Sequence, residues 1–553
     1  MKKIIITLAL ALMMCQMMQA APLKGKVLYL DFSQPVSERS KSSFNVGLSG
    51  VGSSKSTSLL TYEAVLASAA KDDGIAMIYM RPDHLSAGTA TREELRTSIM
   101  RFRENSGKRV VAYLESISAG SLYIASAADM VILNPAGSGS FTGMGSTQYF
   151  LKDFLDALGV KMQLIRHGKY KSAGEMYIRN DISPENREQY EALLGSIWNS
   201  YMTEIAASRG TTVEHLNSLA ENLVLGDAPT WYQEGLVDTL MHRDQVEAYL
   251  CSLFGKEKSS DISRVTVGKY KLNKSHARDK VAIIYADGEI GSGSEIVGQQ
   301  LARTIEEVMR DDKVKAVVFR VNSPGGAVFD SDLIRRAILQ LQAVKPVIAS
   351  YGNYAASGGY WISSSAKRIF CSNATLTGSI GVFGMVPSYG GAIRKILRVN
   401  PVTVGTHSHS DMGTGMRDLD EAELEWNQKQ IETVYTNFIN LVAENRGMTP
   451  EAVDEIAQGR VWAGVTAFEI GLADERGTLL DAVKYAAKDA GLTNFRVETY
   501  PEVKEMDLKS FLKGGNGEDL PLVFTEYQGL IGLLQSVDEP SVMALMECVI
   551  DIR

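Results

Sequence analysis

The chain has 553 residues, which is more than one hydrophobic core normally serves, so two or more domains are expected. Hydrophobic residues make up 45% and charged residues 22% of the sequence, the balance of an ordinary globular protein. The formal net charge is −8 and no block of basic residues stands out, which argues against a nucleic-acid-binding surface.

The N-terminus starts with a basic stretch and continues as a largely apolar run from Ile4 to Ala21. A basic start, an apolar stretch and small residues at its end are typical of a secretory signal. The run is also close to the shortest segment that spans a bilayer. Residues 1–21 are therefore predicted to be a signal peptide or a membrane anchor, and the protein is predicted to be exported.

The first half of the chain alternates strand-like and helix-like segments. Strands are predicted at Lys26–Asp31, Ala76–Met80 and Arg109–Tyr113, and helices at Thr61–Lys71 and Pro184–Arg209. The segment Pro35–Thr57 is rich in Ser and Gly, which predicts a loop or flexible insert.

The second half repeats this order at an offset of about 237 residues. Its strands are predicted at Lys280–Tyr285, Ala316–Val321 and Pro346–Ser350, and its helices at Glu295–Arg310 and Glu421–Arg446. Such alternation implies βαβ units and a largely parallel sheet flanked by helices. We expect an α/β protein built by tandem duplication, with an N-terminal repeat at residues 22–270 and a C-terminal repeat at 271–500. The C-terminal extension, 501–553, has no counterpart in the first repeat and is assigned no role.

A strand of the second repeat runs directly into the turn Ser323–Gly326, which ends in the pair Gly325 and Gly326. Proline fixes such a turn, and the glycine amides can point at an anion or at a developing oxyanion. An ordinary strand-to-helix turn is the alternative interpretation. A phosphate-binding loop is not supported, because no Gly-Lys-Ser/Thr sequence follows.

Ser357 follows another strand, within the sequence Ala-Ala-Ser-Gly-Gly. It is either a helix N-cap or a nucleophile on a sharp turn, with the amide of Gly358 stabilising the transition-state charge. No acidic residue occurs between Ser357 and His407, and no histidine follows His409, so the usual α/β-hydrolase triad cannot be assembled. If Ser357 attacks, its base is a residue of another type.

The sequence favours no metal site. The four cysteines are too widely spaced for a metal-ligand motif. His407 and His409 are two positions apart, so on a strand they would lie on the same face and could chelate a metal ion. No third ligand is evident in the sequence. We therefore predict a loop without a metal ion at this position.

Three segments in this order, Asn322–Gly326, Ala355–Trp361 and Thr375–Gly384, resemble the long form of the bacterial signal peptide peptidases, also called protease IV. The resemblance covers the chain from Lys26 to about Tyr500, repeat layout included. It implies the fold shared by Clp protease and crotonase, a Ser/Lys dyad and no metal or organic cofactor. It also implies a ring-like homotetramer at the cytoplasmic membrane, facing the periplasm or the cell exterior.

In the long form of this family the lysine lies in the first repeat, within Tyr-Lys-Ser-Ala, which matches Tyr170–Ala173 here. Spacing alone does not choose between Lys171 and Lys169, which share a face if the segment is extended. The resemblance chooses Lys171. Burial lowers the pKa of a lysine enough to make it a general base. Ser379 is the candidate hydroxyl that orients the amine.

The sequence thus predicts an exported serine endopeptidase that degrades cleaved signal peptides and other short apolar peptides. Lys171 deprotonates Ser357, which attacks the scissile carbonyl. The amides of Gly358 and Gly326 hold the oxyanion, with Gly325 as the alternate donor.

Neither repeat carries all of these groups. In the first repeat, Ala119 or Gly120 takes the place of Ser357. The site is therefore predicted to form where the repeats meet.

Two functions are alternatives to the peptidase. One is a crotonase-type acyl-CoA enzyme on the same fold, and the other is an inactive membrane scaffold on a protease fold.

Overall fold

The computed structural model describes residues 21–40, 42–47, 50–273, 275–502 and 543–545. The predicted signal peptide or anchor lies outside the described residues except for Ala21, as does most of the 501–553 extension. Within the described ranges, no helix is both long enough and apolar enough to cross a membrane.

The first half of the chain forms a parallel sheet with helices on both faces. Its strands are β1 Lys26–Leu30, β2 Val36–Ser37, β3 Ser42–Gly47, β4 Gly50–Lys55, β5 Thr57–Ser58, β6 Ile75–Met80, β7 Arg109–Ser118, β8 Met130–Ser140, β9 Lys161–His167, β10 Thr239–Leu240 and β11 Arg264–Thr266. Its helices are α1 Leu59–Ala69, α2 Thr89–Ser106, α3 Ala119–Ala125, α4 Lys152–Leu158, α5 Glu175–Ile178, α6 Pro184–Arg209, α7 Val213–Glu221, α8 Ala228–Gln233 and α9 Arg243–Phe254. The sheet order is β10-β8-β7-β6-β1-β11. Neighbouring strand residues alternate between two apolar clusters: Leu28 packs with α1 and α2, and Val27 packs with α9.

The second half of the chain has the same arrangement of layers. It contains an eight-stranded sheet and three further strands that belong to another sheet. Its strands are β12 Lys280–Asp287, β13 Val314–Ser323, β14 Gly325–Ala327, β15 Val347–Ala356, β16 Arg368–Cys371, β17 Leu376–Gly378, β18 Val382–Ser388, β19 Val461–Ala463, β20 Glu475–Arg476, β21 Arg496–Tyr500 and, in the extension, β22 Met543–Leu545. Its helices are α10 Gly298–Arg310, α11 Val328–Gln342, α12 Gly358–Trp361, α13 Gly390–Ala392, α14 Glu421–Arg446, α15 Pro450–Ile456, α16 Gly464–Glu469 and α17 Leu479–Asp489. The main order is β19-β17-β15-β13-β12-β21, with β16 paired to β15 and β20 paired to β16. Among the described strands of this sheet, only the β17–β19 pair is antiparallel. The predicted α/β architecture with two largely parallel sheets is confirmed.

The duplication is visible in individual contacts. The helices α6 and α14 both have 26 residues and both end in an arginine. Arg209 pairs with Asp238 at 2.8 Å, and Arg446 pairs with Asp474 at 2.6 Å. The same ion pair thus ties the last turn of the long helix to the loop before the next strand in each repeat.

The prediction of a loop at Pro35–Thr57 was wrong in part. The strands β3 and β4 pair as an antiparallel hairpin, and β2 pairs with β5. Main-chain pairing within a hairpin does not require apolar side chains, so a composition rich in Ser and Gly does not reveal it.

A third sheet links the two halves. It has the order β14-β22-β18-β9, and its β9 comes from the first repeat. The antiparallel pairing of β18 with β9 runs from Val382 opposite His167 to Ser388 opposite Lys161. This pairing fixes the end of β9, and therefore the segment that follows it, against the second repeat.

A buried ion-pair network also joins the repeats. Arg320 on β13 is 0% exposed and donates to both carboxylate oxygens of Glu38, at 2.7 and 2.9 Å, and to Glu94 at 2.7 Å. Its remaining terminal nitrogen donates to the Ser350 hydroxyl and the Tyr351 carbonyl. Removing one partner from such a network leaves an uncompensated buried charge, so the network holds the repeats in one arrangement.

Glu93, next to Glu94 on α2, makes a second contact between the repeats. Its carboxylate oxygens accept hydrogen bonds from the backbone amides of Asn373 and Ala374, each at 2.9 Å. Burial raises the pKa of Glu93 to about 7, although these two hydrogen bonds favour the charged form.

This raised pKa predicts a pH-dependent stability. A carboxyl group with a higher pKa in the folded state contributes stability below its ordinary pKa of 4.5, and that contribution is lost as the pH rises through about 7. We expect the contribution of Glu93 to the free energy of unfolding to fall between about pH 4.5 and pH 7, by up to about 1.4 kcal/mol per pH unit. The Glu93→Gln variant should lose that part of the slope. Denaturant unfolding at several pH values measures it, and equal slopes in the two proteins would contradict it.

Candidate active site

Ser357 lies on a sharp turn between β15 and α12. Its backbone has φ 55° and ψ −115°, a left-handed conformation that is unfavourable for a residue other than glycine. The amide of Ser357 donates to the carbonyl of Gly378 at 2.8 Å, and its side chain makes no capping hydrogen bond to α12. The geometry therefore favours the sharp-turn interpretation over the N-cap interpretation of the sequence.

Lys171 reaches this serine from the first repeat. Its Nζ lies 2.8 Å from Ser357 Oγ, 3.0 Å from Ser379 Oγ and 3.2 Å from the Ser379 carbonyl oxygen. Lys171 is 1% exposed and Ser357 is 0% exposed. The structure thus brings together, in a buried setting, the serine and lysine that the sequence singled out and the weaker candidate Ser379.

The lysine segment is held from both sides. Arg166 on β9 donates to the carbonyl of Lys171 at 2.6 Å and to the buried Glu175 at 3.2 Å. The amide of Tyr170 donates to the carbonyl of Gln458 at 2.9 Å. Backbone and side-chain contacts on each side of Lys171 thus define the direction of its side chain.

Lys169 does not share the face of Lys171. Residues 169 and 170 form a turn rather than an extended segment, so the two lysines point differently. Lys169 is exposed, and its ammonium lies 5.0 Å from the centre of the Tyr170 ring. The structure therefore distinguishes the two lysines by their positions. Their spacing in the sequence could not do so.

The loop Ala457–Arg460 forms a wall of the site that the sequence analysis missed. A Cβ on Gly459 would lie 2.6 Å from Lys171 Cβ, so only glycine fits beside the lysine. The amide of Ser379 donates to the carbonyl of Arg460 at 2.7 Å, and that of Gly459 donates to the carbonyl of Ile380 at 2.8 Å. The sequence feature that could have pointed to this loop is Gly459, which has a φ of 77° in the structure.

The glycine pair lies on β14, beside the serine turn. The amide of Gly325 donates to Ser323 Oγ at 3.2 Å. Gly326 has φ 150°, and a Cβ there would lie 1.9 Å from the Ile290 carbonyl oxygen, so the position admits only glycine. A Cβ on Gly359 would lie 2.6 Å from the carbonyl oxygen of Ser323. These glycines allow the two turns to pack directly on each other.

The histidine pair lies away from this site, on a surface loop. The structure places carboxylates near His409 that the sequence analysis did not foresee, with Nδ1 2.9 Å from Glu423 and 3.8 Å from Asp420. Glu423 also accepts hydrogen bonds from Arg417 on both of its oxygens, and this guanidinium lowers the pKa of Glu423 to about 2. The carboxylate is thus already engaged in an ion pair. His407 is exposed.

The turn of the first repeat that corresponds to the Ser357 turn is built differently. Ser118 ends β7 with φ −134° and ψ 170°, an ordinary extended conformation, and its oxygen accepts a hydrogen bond from the amide of Ser121. The serine caps α3 instead of standing on a sharp turn. Ala119, which follows it, begins the helix.

Comparisons with known proteins identify the family. The family model described as Peptidase family S49 matches residues 103–254 and 339–493, one match in each repeat. Protease 4 of Haemophilus influenzae is 34% identical over 428 residues, covering 72% of this chain and 68% of that protein. Serine protease SPPA, chloroplastic, of Arabidopsis thaliana is 32% identical over 484 residues, covering 85% and 70% respectively. A protein of Enterococcus faecium with signal peptide peptidase in its name is 31% identical over 303 residues, covering 53% and 86%. The chain belongs to peptidase family S49 and is a serine-type peptidase, a hydrolase that acts on peptide bonds.

Proposed function

We propose that the protein is an endopeptidase with a Ser/Lys dyad, in which Lys171 is the general base and Ser357 the nucleophile. The observation that carries this proposal is the 2.8 Å separation of Lys171 Nζ and Ser357 Oγ. Nucleophile and base within hydrogen-bond distance, with a further group orienting the base, is the arrangement that covalent catalysis requires. Ser379 is in place to be that orienting group.

The proposed reaction follows from this geometry. Burial disfavours a charged ammonium, and the neutral amine is the form that accepts the proton of Ser357 Oγ. The alkoxide attacks the scissile carbonyl, and the protonated amine then gives its proton to the leaving amine nitrogen. A water molecule deprotonated by Lys171 hydrolyses the acyl-enzyme and restores Ser357.

The oxyanion is assigned to the amides of Gly358 and Gly326. Gly358 is the first residue of α12, directly after Ser357, where a backbone amide has no partner within the helix. Gly326 is preferred over Gly325, since the amide of Gly325 already donates to Ser323. Two amides from different turns can then converge on the developing negative charge.

The proposed substrates are short apolar peptides, with cleaved signal peptides as the main class. Support comes from the apolar N-terminal segment, which indicates export, and from the Enterococcus faecium relative whose name includes signal peptide peptidase. We place the protein at the cytoplasmic membrane, facing the periplasm or the cell exterior, as a homotetramer. The proposed repeat boundaries are 22–270 and 271–500.

The proposal is tested by labelling with a serine-directed phosphonate. The purified chain is incubated with the reagent, and the modified residue is identified by mass spectrometry while hydrolysis of a synthetic signal peptide is followed in parallel. We expect modification of Ser357 and loss of hydrolysis in the same proportion. Hydrolysis that persists after complete labelling, or labelling at another serine, would contradict the assignment.

Ser379 is expected to affect the rate and not substrate binding. Ser379→Ala removes one of the oxygens around Lys171 Nζ and leaves the Ser379 carbonyl in place. We expect kcat to fall by about 10- to 100-fold with KM within a few fold, because removing a positioning contact loosens the base. Ser364→Ala is the matched control, since it removes another buried hydroxyl that contacts Asn445 instead. An equal loss in the two variants would contradict a specific role.

A further inference from the structure

The loop Ala457–Arg460, which forms a wall of the proposed site, contains a strained residue. Gln458 has φ 52°, a left-handed conformation that is unfavourable for a residue with a side chain. Its carbonyl accepts a hydrogen bond at 2.9 Å from the amide of Tyr170, directly before Lys171. The next residue, Gly459, packs against Lys171 itself. Whatever keeps Gln458 in this conformation therefore also supports the lysine.

Tyr435 on α14 holds Gln458 in place. Its hydroxyl accepts a hydrogen bond from the backbone amide of Gln458 at 3.3 Å and donates to the carboxylate of Asp454 on α15. The side-chain amide of Gln458 donates to the same carboxylate at 2.6 Å. Tyr435 is buried, and this burial together with Asp454 raises the pKa of the hydroxyl well above its ordinary value, so the hydroxyl keeps its proton. One tyrosine hydroxyl thus links the Gln458 peptide to two helices.

The same tyrosine contacts the other end of the lysine segment. Its ring stacks on the imidazole of His167, the last residue of β9, with the ring centres 3.7 Å apart and the ring planes at 20° to each other. His167 Nδ1 also lies 2.6 Å from Glu432 Oε2, on the same helix as Tyr435. The segment 167–171 is therefore contacted at its start by the ring of Tyr435 and held near its end, through Gln458, by the hydroxyl.

We propose that Tyr435 is a positioning residue for the general base. Through both of these contacts it holds the segment of Lys171, and it thereby keeps Nζ beside Ser357 Oγ. This inference rests on the proposed role of Lys171. Small displacements of a base slow the reaction, because proton transfer requires hydrogen-bond distance between the base and the nucleophile. Tyr435 belongs to the second repeat and Lys171 to the first, so the rate also depends on how the two repeats pack.

Tyr435→Phe tests this role, because phenylalanine keeps the ring on His167 and removes only the hydroxyl that holds Gln458. We expect kcat for a short apolar peptide to fall by about 10- to 100-fold, with KM within a few fold. The acid limb of the profile of kcat against pH should also move to higher pH, by about half a unit or more, because a loosened amine is better hydrated and holds its proton more firmly. A kcat equal to that of the unmodified chain, or a loss that is the same at every pH, overturns the inference.

Tyr201→Phe is the control variant. Tyr201 is buried, and its hydroxyl donates to the Thr89 carbonyl at 2.9 Å within the first repeat. This variant also loses one buried tyrosine hydroxyl, but it leaves Tyr435 and Gln458 in place. Its kcat and its pH profile should match those of the unmodified chain. An equal fall of kcat in the two variants would overturn a specific role for Tyr435.

Hydrogen exchange separates this inference from the peptidase proposal. The amide of Tyr170 donates to the carbonyl of Gln458, so its exchange rate reports how firmly the loop holds the lysine segment. Exchange is followed by mass spectrometry in peptides that contain residues 168–173. We expect exchange at least about fivefold faster in Tyr435→Phe than in the unmodified chain and in Tyr201→Phe.

The exchange result decides the inference whatever the catalytic results. Equal exchange in the three proteins overturns it. Absence of hydrolysis by the unmodified chain, together with faster exchange in Tyr435→Phe, rejects the peptidase proposal and leaves the hold of Tyr435 on the lysine segment in place.

Discussion

Replacing Ser357 with alanine is expected to lower peptide hydrolysis by at least about 10⁴-fold, because the variant has no atom that can form the acyl-enzyme. The remaining activity would come from substrate binding and the oxyanion amides alone. Initial rates on a synthetic apolar peptide, measured at high enzyme concentration, give the size of the loss.

The fold should be unaffected by this change. Alanine keeps the Cβ, so the positive φ of 55° constrains residue 357 to the same degree in both proteins. Among the described residues, the hydrogen-bond partner of Ser357 Oγ is Lys171 Nζ, so the alanine variant loses one hydrogen bond. We expect a thermal midpoint within a few degrees of the unmodified protein. A variant that keeps more than a few per cent of the activity would show that Ser357 is not the nucleophile.

Replacing Lys171 with methionine is expected to have an effect of similar size, about 10⁴-fold in kcat. Methionine preserves most of the hydrocarbon arm that packs against Gly459 but has no nitrogen to accept the serine proton. Steady-state kinetics on the same peptide measure the loss, and an unchanged unfolding midpoint shows that the lysine was not needed for packing alone.

Lys169→Met is the matched control for this experiment. Lys169 is exposed on the preceding turn and contacts the Tyr170 ring, so its removal should leave kcat/KM within a few fold. An inactive Lys169→Met protein together with an active Lys171→Met protein would mean that the other lysine is the base. Similar losses in both would indicate that the segment as a whole, and not one amine, is required.

The proposed site takes residues from both repeats. The first repeat contributes Lys171 at the end of β9, where the pairing of β9 with β18 places it beside the second repeat. It keeps a serine at the corresponding turn, but Ser118 uses its oxygen to cap α3. The second repeat holds the sharp turn at Ser357 and the glycine pair. The proposed site is thus built from both halves of the chain.

Much of the fold was determined by the sequence itself, because its signals are local. The helices α6 and α14 were predicted from their helical periodicity with the observed bounds. The structure adds the reason for those bounds: Ser183 and Asp420 are N-caps, and Gly210 and Gly447 follow the last turns in left-handed conformation. Three central strands of each repeat, β1, β6 and β7 and then β12, β13 and β15, were predicted because parallel strands covered on both faces are continuous apolar runs. Periodicity and caps depend on neighbours within a few residues, so they can be read without a structure.

The candidate site was determined only in part by the sequence. The turn at Ser357 and the glycine pair were visible as local motifs, but Lys171 was preferred to Lys169 only through a family resemblance. The structure separates them because residues 169 and 170 turn, and because Lys171 meets a serine 186 positions away in the chain. The wall at Gly459 and the strand β22 were missed. Contacts between distant segments depend on how the two repeats pack and on which sheet edges meet, and no local pattern of residues records either.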